Sequence, residues 1–250
     1  MAMNYSWNWG VLLQPTGVGN EVYWQWLLTG FKWLLVIGGS GWLIALIIGT
    51  ILGIMRTLPN KTARAIGTAY VSFFRNIPLL IQLFFWFYVA PTWLTPALQK
   101  WWFQELDPNT SAVVSASIGL GLFTAARIVE QVRTGIESLP KGQINAAYAL
   151  GFTLPQTYRH IVLPQAFRVI LPPMSSELTN CFKNASVASL VGVTELISQT
   201  KTISEYTQNN IEVYTFTTII YLLFNLVLIY FMTWLEKKLR IKGQIDGGGA

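Results

Sequence analysis

Residues 33–55 read WLLVIGGSGWLIALIIGTILGIM, with no charged side chain anywhere in the stretch. A transmembrane helix needs roughly 20 mostly apolar residues, so this is the clearest membrane span in the chain. Arg56, Lys61 and Arg64 follow it directly and mark its cytoplasmic end, because basic residues concentrate in cytoplasmic loops. Within the span, Gly49 and Gly53 form a GxxxG pair that permits close helix contact. Packing inside the chain is the expected use of that pair, with contact to another subunit as the alternative.

The rest of the composition agrees with this span. Of 250 residues, 52% are hydrophobic and 11% charged, and the mean hydropathy is +0.44. A soluble domain carries about 25% charged residues, so lipid is the solvent for much of this surface. The formal net charge of +6 raises the question of nucleic acid. The basic residues lie between apolar stretches, as cytoplasmic loops require, and nucleic acid is not an expected partner. Cys181 is the sole cysteine and His160 the sole histidine. An intrachain disulfide, a CxxC centre, a histidine metal cluster and an H-E-x-x-H motif are therefore all excluded.

Lys32 is the first basic residue, so the start lacks the basic opening of a signal peptide. It carries Trp7, Trp9, Trp24 and Trp26 instead, and tryptophan favours the headgroup layer. Residues 1–26 are expected to form an interfacial lead-in on the outer face.

Outward from the first span, a second is expected within residues 65–94, interrupted by Arg75, with Pro78 kinking or starting a helix. A third covers residues 111–130. A fourth is expected to begin after Pro172-Pro173, over residues 174–197, followed by a polar outer loop with Lys201, Glu205 and Glu212. A fifth covers residues 213–235. Arg133, Lys141, Arg159 and Arg168 lie in a long cytoplasmic segment, and Lys237, Lys238, Arg240 and Lys242 close the chain in a tail over residues 236–250. The expected fold is an all-α integral membrane domain with five transmembrane helices, N-terminus outside and C-terminus inside. Lys32 and Lys100 lie near the outer edge, where long side chains snorkel. Residues 243–250 are expected to be a short disordered tail.

Residues 145–164, NAAYALGFTLPQTYRHIVLP, hold the strongest functional pattern. Ala146, Ala147 and Ala149 give a helix a small, close-packing face. Gly151 can take the left-handed conformation that ends it. Thr153 can cap a second helix with Pro155 in its first turn, and Pro164 is expected to stop that helix. The alternative is a simple loop. The spacing of Asn145, Ala146, Ala147, Gly151, Ile161, Val162, Leu163 and Pro164 resembles the EAA loop of ABC importer permeases, with Asn145 in place of the usual Glu.

Flanking stretches resemble the polar amino acid branch of that family. They are Phe74-Arg75-Asn76-Ile77-Pro78-Leu79-Leu80, residues 135–147 (GIESLPKGQINAA), and Lys183-Asn184-Ala185-Ser186, where Ala185 departs from the pattern. Trp7-Asn8-Trp9-Gly10 and residues 121–127 (GLFTAAR) resemble glutamate/aspartate permeases in particular.

The resemblance implies a type I importer transmembrane domain over residues 27–235 in a bacterial inner membrane. It implies a second, related permease chain, a dimer of ABC ATPases and an external amino-acid-binding protein. No Walker A sequence and no LSGGQ signature occurs, so ATP and Mg are expected on the partner ATPases, with no cofactor or metal here and no enzymatic activity in this chain. ATP binding would then close the ATPase pair and move the docking loops.

Charges inside spans are costly and ask for a role. Arg127 lies 16 residues beyond Ser111, about 24 Å along a helix. The resembling family commonly has tyrosine there. A guanidinium matches a carboxylate bidentately, which suits an acidic substrate. The alternatives are an ion pair with Glu130 at i+3 or snorkelling. Lys183, eight residues after Ser175, is usual in the family whatever the substrate, so a structural or gating role is expected. Arg75, with Asn76 and Pro78, belongs to the family motif, and subunit contact is expected there. Glu177 is expected to pair with a neighbouring helix, and His160 to be solvated or at an interface.

The competing assignment is a secondary carrier or channel for small polar solutes. Such carriers often show internal repeats and midplane broken helices, neither of which is evident here. A membrane enzyme lacks a convergent catalytic set.

Overall fold

The computed structural model describes residues 5–239. The expectations for residues 1–4 and for most of the C-terminal tail fall outside the described residues. Among the described residues the chain is helical, apart from loops and one isolated antiparallel bridge between Pro15 and Val22.

The uncharged stretch lies inside α1, Tyr23–Thr57, a helix of 35 residues. Leu58, Pro59 and Asn60 separate it from α2, Lys61–Asn76. Asn60 caps α2: its Oδ1 accepts the N–H groups of Thr62 and Ala63 at 2.9 and 3.1 Å. Asn76 ends α2, and Pro78, with ψ of 140°, opens α3, Leu79–Phe84. The chain continues through a π turn, Phe85–Val89, and a 3-10 turn, Ala90–Trp93. The break fits the proline, which lacks an N–H and disfavours helical geometry in the residue before it.

A short α4, Pro96–Lys100, leads through a π turn to α5, Pro108–Glu137. The carboxylate of Asp107 accepts the N–H of Thr110 at 2.9 Å and so caps α5. Then come α6, Lys141–Ala149, α7, Leu154–Thr157, and a π turn, Tyr158–Val162. The last three helices are α8, Leu163–Ala185, α9, Leu196–Thr207, and α10, Asn210–Leu239.

By length and composition α1, α5 and α10 can each cross a membrane unaided, and α2 with α3 and its following turns forms a broken fourth candidate. α5 is the most enclosed, with 72% of its most apolar window buried, while α10 has 6%. α10 is apolar all round and exposed, as a lipid-facing helix should be.

Two expectations about prolines give way. α8 begins at Leu163, with Pro164 in its first turn and Pro172 and Pro173 inside it. Pro164 does not stop the helix, because a missing N–H costs nothing in a first turn and the π turn before it shifts the hydrogen-bond ladder. Membrane helices tolerate internal proline where neighbouring groups satisfy the freed carbonyls.

The described chain divides into two compact units, and α1, α5, α8 and α10 contribute to both. The first comprises residues up to Ile44, Ile77–Phe123 and Asn180–Asn225. Its core joins Leu34 and Ile37 of α1, Leu83 of α3, Ala116 and Leu120 of α5, Cys181 and Ala185 of α8, and Leu196 and Ile203 of α9. The Cys181 thiol is fully buried, with its Sγ 3.7 Å from the carbonyl oxygen of Gly38. Glu212 does not lie in a polar loop, contrary to expectation. It is fully buried in the first turn of α10, where it accepts the Tyr5 hydroxyl and, at 2.7 Å, the N–H of Asn8. Trp7 stacks on Trp9, whose ring rests edge-on against Phe216.

The second unit comprises Ala45–Asn76, Thr124–Thr179 and the chain from Leu226 onward. Here α1 meets α5 through the GxxxG pair. A Cβ on Gly49 would lie 2.6 Å from the Cβ of Ile128, and one on Gly53 2.6 Å from that of Val132. The pair packs within the chain because only hydrogen fits between these two backbones. An apolar cleft of about 180 Å³ opens among Leu46, Ile54, Val132, Phe167, Ile170 and Met174.

Candidate functional site

The candidate functional residues of the second unit fall into an elbow and two groups of charges. The elbow is α6 and α7. At the end of α6, Gly151 has φ of +82°, a conformation that glycine adopts without steric cost. The N–H of Gly151 bonds to the carbonyl of Tyr148 at 3.0 Å, and the N–H of Phe152 to that of Ala147 at 3.1 Å. These two bonds are a Schellman motif. Thr153 then starts α7, giving its N–H and its hydroxyl to Gln156 Oε1 at 2.8 and 2.9 Å. Pro155 occupies the first turn, where its lost donor is harmless.

The elbow has an inner and an outer face. Ala147, Thr157 and Val162 are fully buried, whereas Asn145, Ala146, Gly151 and Pro164 are exposed and Ile161 and Leu163 half-buried. Its apolar residues Tyr148, Leu150 and Phe152 face outward, Leu150 at 77% exposure. The elbow is tied to the end of α1: the Tyr158 hydroxyl lies 3.0 Å from the carbonyl oxygen and 3.1 Å from the hydroxyl of Thr57.

The first charge group lies next to that tie. Arg56 Nη1 is 2.5 Å from Glu130 Oε1, and Arg133 Nε is 2.9 Å from Glu130 Oε2. Arg133 also pairs with Glu137. Glu130 thus joins α1 to α5.

The second group contains Arg127. Its Nη1 stands 3.7 Å from Glu177 Oε2 on α8, and Arg75, exposed at the end of α2, also acts electrostatically on that carboxylate. The side chain of Arg127 is 40% exposed and that of Glu177 only 13%. Glu177 Oε2 is buried without a hydrogen-bond donor. Arg127 stands beside Glu177, while Glu130, the alternative partner offered by the i+3 spacing, serves Arg56 and Arg133. Lys183 belongs to the other unit, exposed in the last turn of α8, its carbonyl accepting the Ser186 hydroxyl at 2.7 Å. Asn76 is exposed at the end of α2, and Pro78 begins α3.

Three of these roles carry no signal in the sequence: that of Arg56 beyond marking orientation, that of Tyr158, and the partner of Glu177. Local spacing carries no signal for pairs 74 or 101 residues apart.

Apolar helices of membrane-crossing length, joined by a capped helical elbow, define a multi-pass membrane protein. The chain belongs to the family of binding-protein-dependent transport system inner membrane components, whose model matches residues 22–241. It is 43% identical to the glutamate/aspartate import permease protein GltJ of Escherichia coli (strain K12), over 98% of this chain and 100% of that protein. It is 34% identical to the probable glutamine ABC transporter permease protein GlnM of Bacillus subtilis (strain 168), over 77% of this chain and 83% of the relative. The glutamate/aspartate import permease protein GltK of Escherichia coli O157:H7 is 30% identical over 85% of this chain and 92% of its own length. Among solved structures, an amino acid ABC transporter with histidines superposes with a TM-score of 0.68 at 24% identity, covering 86% of this chain and 95% of that one. The inward-facing MetNI methionine transporter does so at 0.65 and 21% identity, covering 86% and 97%. These two likenesses concern the fold.

Proposed function

We propose that this chain is a permease subunit of an ABC importer for glutamate and aspartate. The observation that carries the transport role is the doubly capped elbow over residues 145–164, which turns Tyr148, Leu150 and Phe152 outward. Caps at both sides of the turn fix its shape, and an exposed apolar tip on a fixed element suits a docking contact. The occupant is a cytoplasmic ATPase, one of two that bind ATP and Mg. A second, related permease completes the path, and an external binding protein delivers the amino acid. The acidic substrate rests on the 43% identity with GltJ and on Arg127.

In this assignment the domain covers residues 27–235, the five spans lie in the bacterial inner membrane, and the N-terminus is outside. Arg75, Arg127 and Lys183 expose cationic groups on membrane helices, where contact with hydrocarbon is costly. Their exposed sides therefore meet an aqueous passage or a neighbouring subunit. Arg127 attracts the substrate carboxylate, Arg75 serves subunit contact, and Lys183 serves the gate.

The test is reconstitution of the assembled importer in proteoliposomes. ATP-dependent accumulation of labelled glutamate and aspartate is expected, with weak competition by arginine or histidine. Gly151→Val, which forces a β-branched side chain into left-handed backbone, should abolish coupled uptake while membrane insertion persists. Uptake that persists without ATP would reassign the chain to the carriers.

A further inference from the structure

We propose that the apolar cleft of the second unit holds an acyl chain of an anionic phospholipid, whose phosphate pairs with Arg168. This site is separate from the transport role and requires only that the chain lie in a membrane.

Two tight helix contacts create the cleft. Gly49 and Gly53 let α1 close on Ile128 and Val132 of α5. Gly135 of α5 admits Ile170 of α8 in the same way, since a Cβ there would lie 2.3 Å from the Cγ1 of Ile170. Both neighbours are thus pressed onto α5, and the space left between them is the cleft. Leu46, Thr50 and Ile54 of α1 line one side, Phe167 and Met174 of α8 the other, with Val132 of α5 between. Three residues beyond Ile54, Thr57 meets the Tyr158 hydroxyl at 3.0 and 3.1 Å. The spacing of the two walls is therefore held at that end.

The lining chooses the guest. An apolar cavity of about 150 Å³ stays free of water and admits a benzene-sized hydrocarbon. This cleft has about 180 Å³. Its mouth is marked by Thr50 and Phe167, both exposed, Phe167 at 55%. Beside Thr50, Ile47 and Ile51 form an exposed apolar stripe on α1. A helix surface of that kind faces hydrocarbon, so the guest at hand is an acyl chain.

Charge chooses the headgroup. Arg56 lies two residues from Ile54 and Arg133 next to Val132, and both are engaged by carboxylates, Glu130 and Glu137. Arg168 directly follows Phe167 in α8, is half-buried, and has no carboxylate partner among the described residues. The long stem of arginine lets its head reach the headgroup layer. A guanidinium binds two phosphate oxygens at once, and basic residues between membrane helices select anionic lipid. A zwitterionic lipid offers the same phosphate with a cation attached, which weakens the pairing.

The experiment measures lipid retention by the purified assembled importer. The complex is stripped in detergent, offered dioleoylphosphatidylglycerol or dioleoylphosphatidylcholine in mixed micelles, and its bound lipid is counted by native mass spectrometry. At least one phosphatidylglycerol per copy of this chain should survive conditions that remove phosphatidylcholine. Arg168→Gln should lower the retained phosphatidylglycerol about fivefold, the effect of one basic residue at an anionic surface. Thr50→Phe fills the cleft from its exposed edge and should expel the lipid with Arg168 still in place.

Unchanged retention in either variant overturns the proposal, as does equal retention of the two lipids by the original complex. If Arg168→Gln fails to assemble, Arg168→Lys keeps the charge and should keep the lipid, and Thr50→Phe then decides. An importer that retains no lipid, and whose Thr50→Phe variant sheds the second permease chain, would give the cleft to a helix of that partner and overturn the proposal. No substrate enters these measurements, so failure of the acidic-substrate assignment leaves their outcome unchanged.

Discussion

Arg56 and Arg127 are both guanidiniums on membrane helices of one unit, and their surroundings assign them opposite roles. Arg56 is 14% exposed and locked to Glu130. Arg127 is 40% exposed and stands 3.7 Å from Glu177. Substituting each group should separate structure from transport. Glu130→Gln removes a carboxylate shared by Arg56 and Arg133, and charge-assisted hydrogen bonds contribute about 1.5–3 kcal/mol each before solvent screening. The variant should melt several degrees below the original in a thermal scan, with unaltered selectivity in whatever fraction assembles. Arg127→Tyr should do the reverse: an ordinary melting temperature, with acidic amino acid uptake reduced at least tenfold. Competition assays across acidic and neutral amino acids check it, and full glutamate transport by a well-expressed Arg127→Tyr importer would remove Arg127 from the substrate path. Sequence showed that Arg127 needed a compensating group, because an unneutralised charge at that depth is costly. It could not pick Glu177 over Glu130, since the choice depends on how α8 packs on α5.

Elements were legible wherever one physical requirement dominated. Lipid demands long apolar helices, and α1, α5 and α10 could be found from that alone. Gly151 and Thr153 announced the elbow because left-handed backbone and helix capping each favour few residue types. The start of α8 was hidden because proline usually ends a helix, and its first-turn exception depends on where the helix begins. The elbow's tie to α1 was equally hidden, being a contact between Tyr158 and Thr57 across 101 residues. That tie gives a prediction at this scale. On the proposed coupling role, motion of the elbow is expected to pass through Tyr158 to the end of α1, beside Arg56 and its grip on α5. Tyr158→Phe deletes one hydroxyl, worth about 0.5–1.5 kcal/mol. Amino acid transported per ATP hydrolysed should fall by about threefold, measured by parallel uptake and phosphate release in the same proteoliposomes. An unchanged ratio would mean that the elbow pulls on α1 by another route.

At the scale of the whole molecule, chemistry and passage are divided among subunits. The sequence has neither a Walker A loop nor an LSGGQ signature, and it is with a Walker A backbone that P-loop ATPases cradle the nucleotide's phosphates. Purified without partners, the chain should show no saturable ATP binding at micromolar nucleotide by fluorescence or calorimetric titration. What it contributes, on the proposed assignment, is a membrane scaffold, a charged passage and a rigid handle. Its α10 is apolar and largely exposed, while the enclosed α5 carries Arg127, Glu130 and Arg133 together.

The burial of Cys181 has a practical consequence. The chain's sole sulfhydryl lies at 0% exposure inside the first unit, so maleimide and spin-label reagents should pass it by in the folded protein. No cysteine-less background has to be made before spectroscopy. A cysteine introduced at Leu150, 77% exposed on the elbow, would be the one position that takes up label. Its emission or spin–spin distance would then report the elbow's travel as nucleotide is added, with the native thiol left in place.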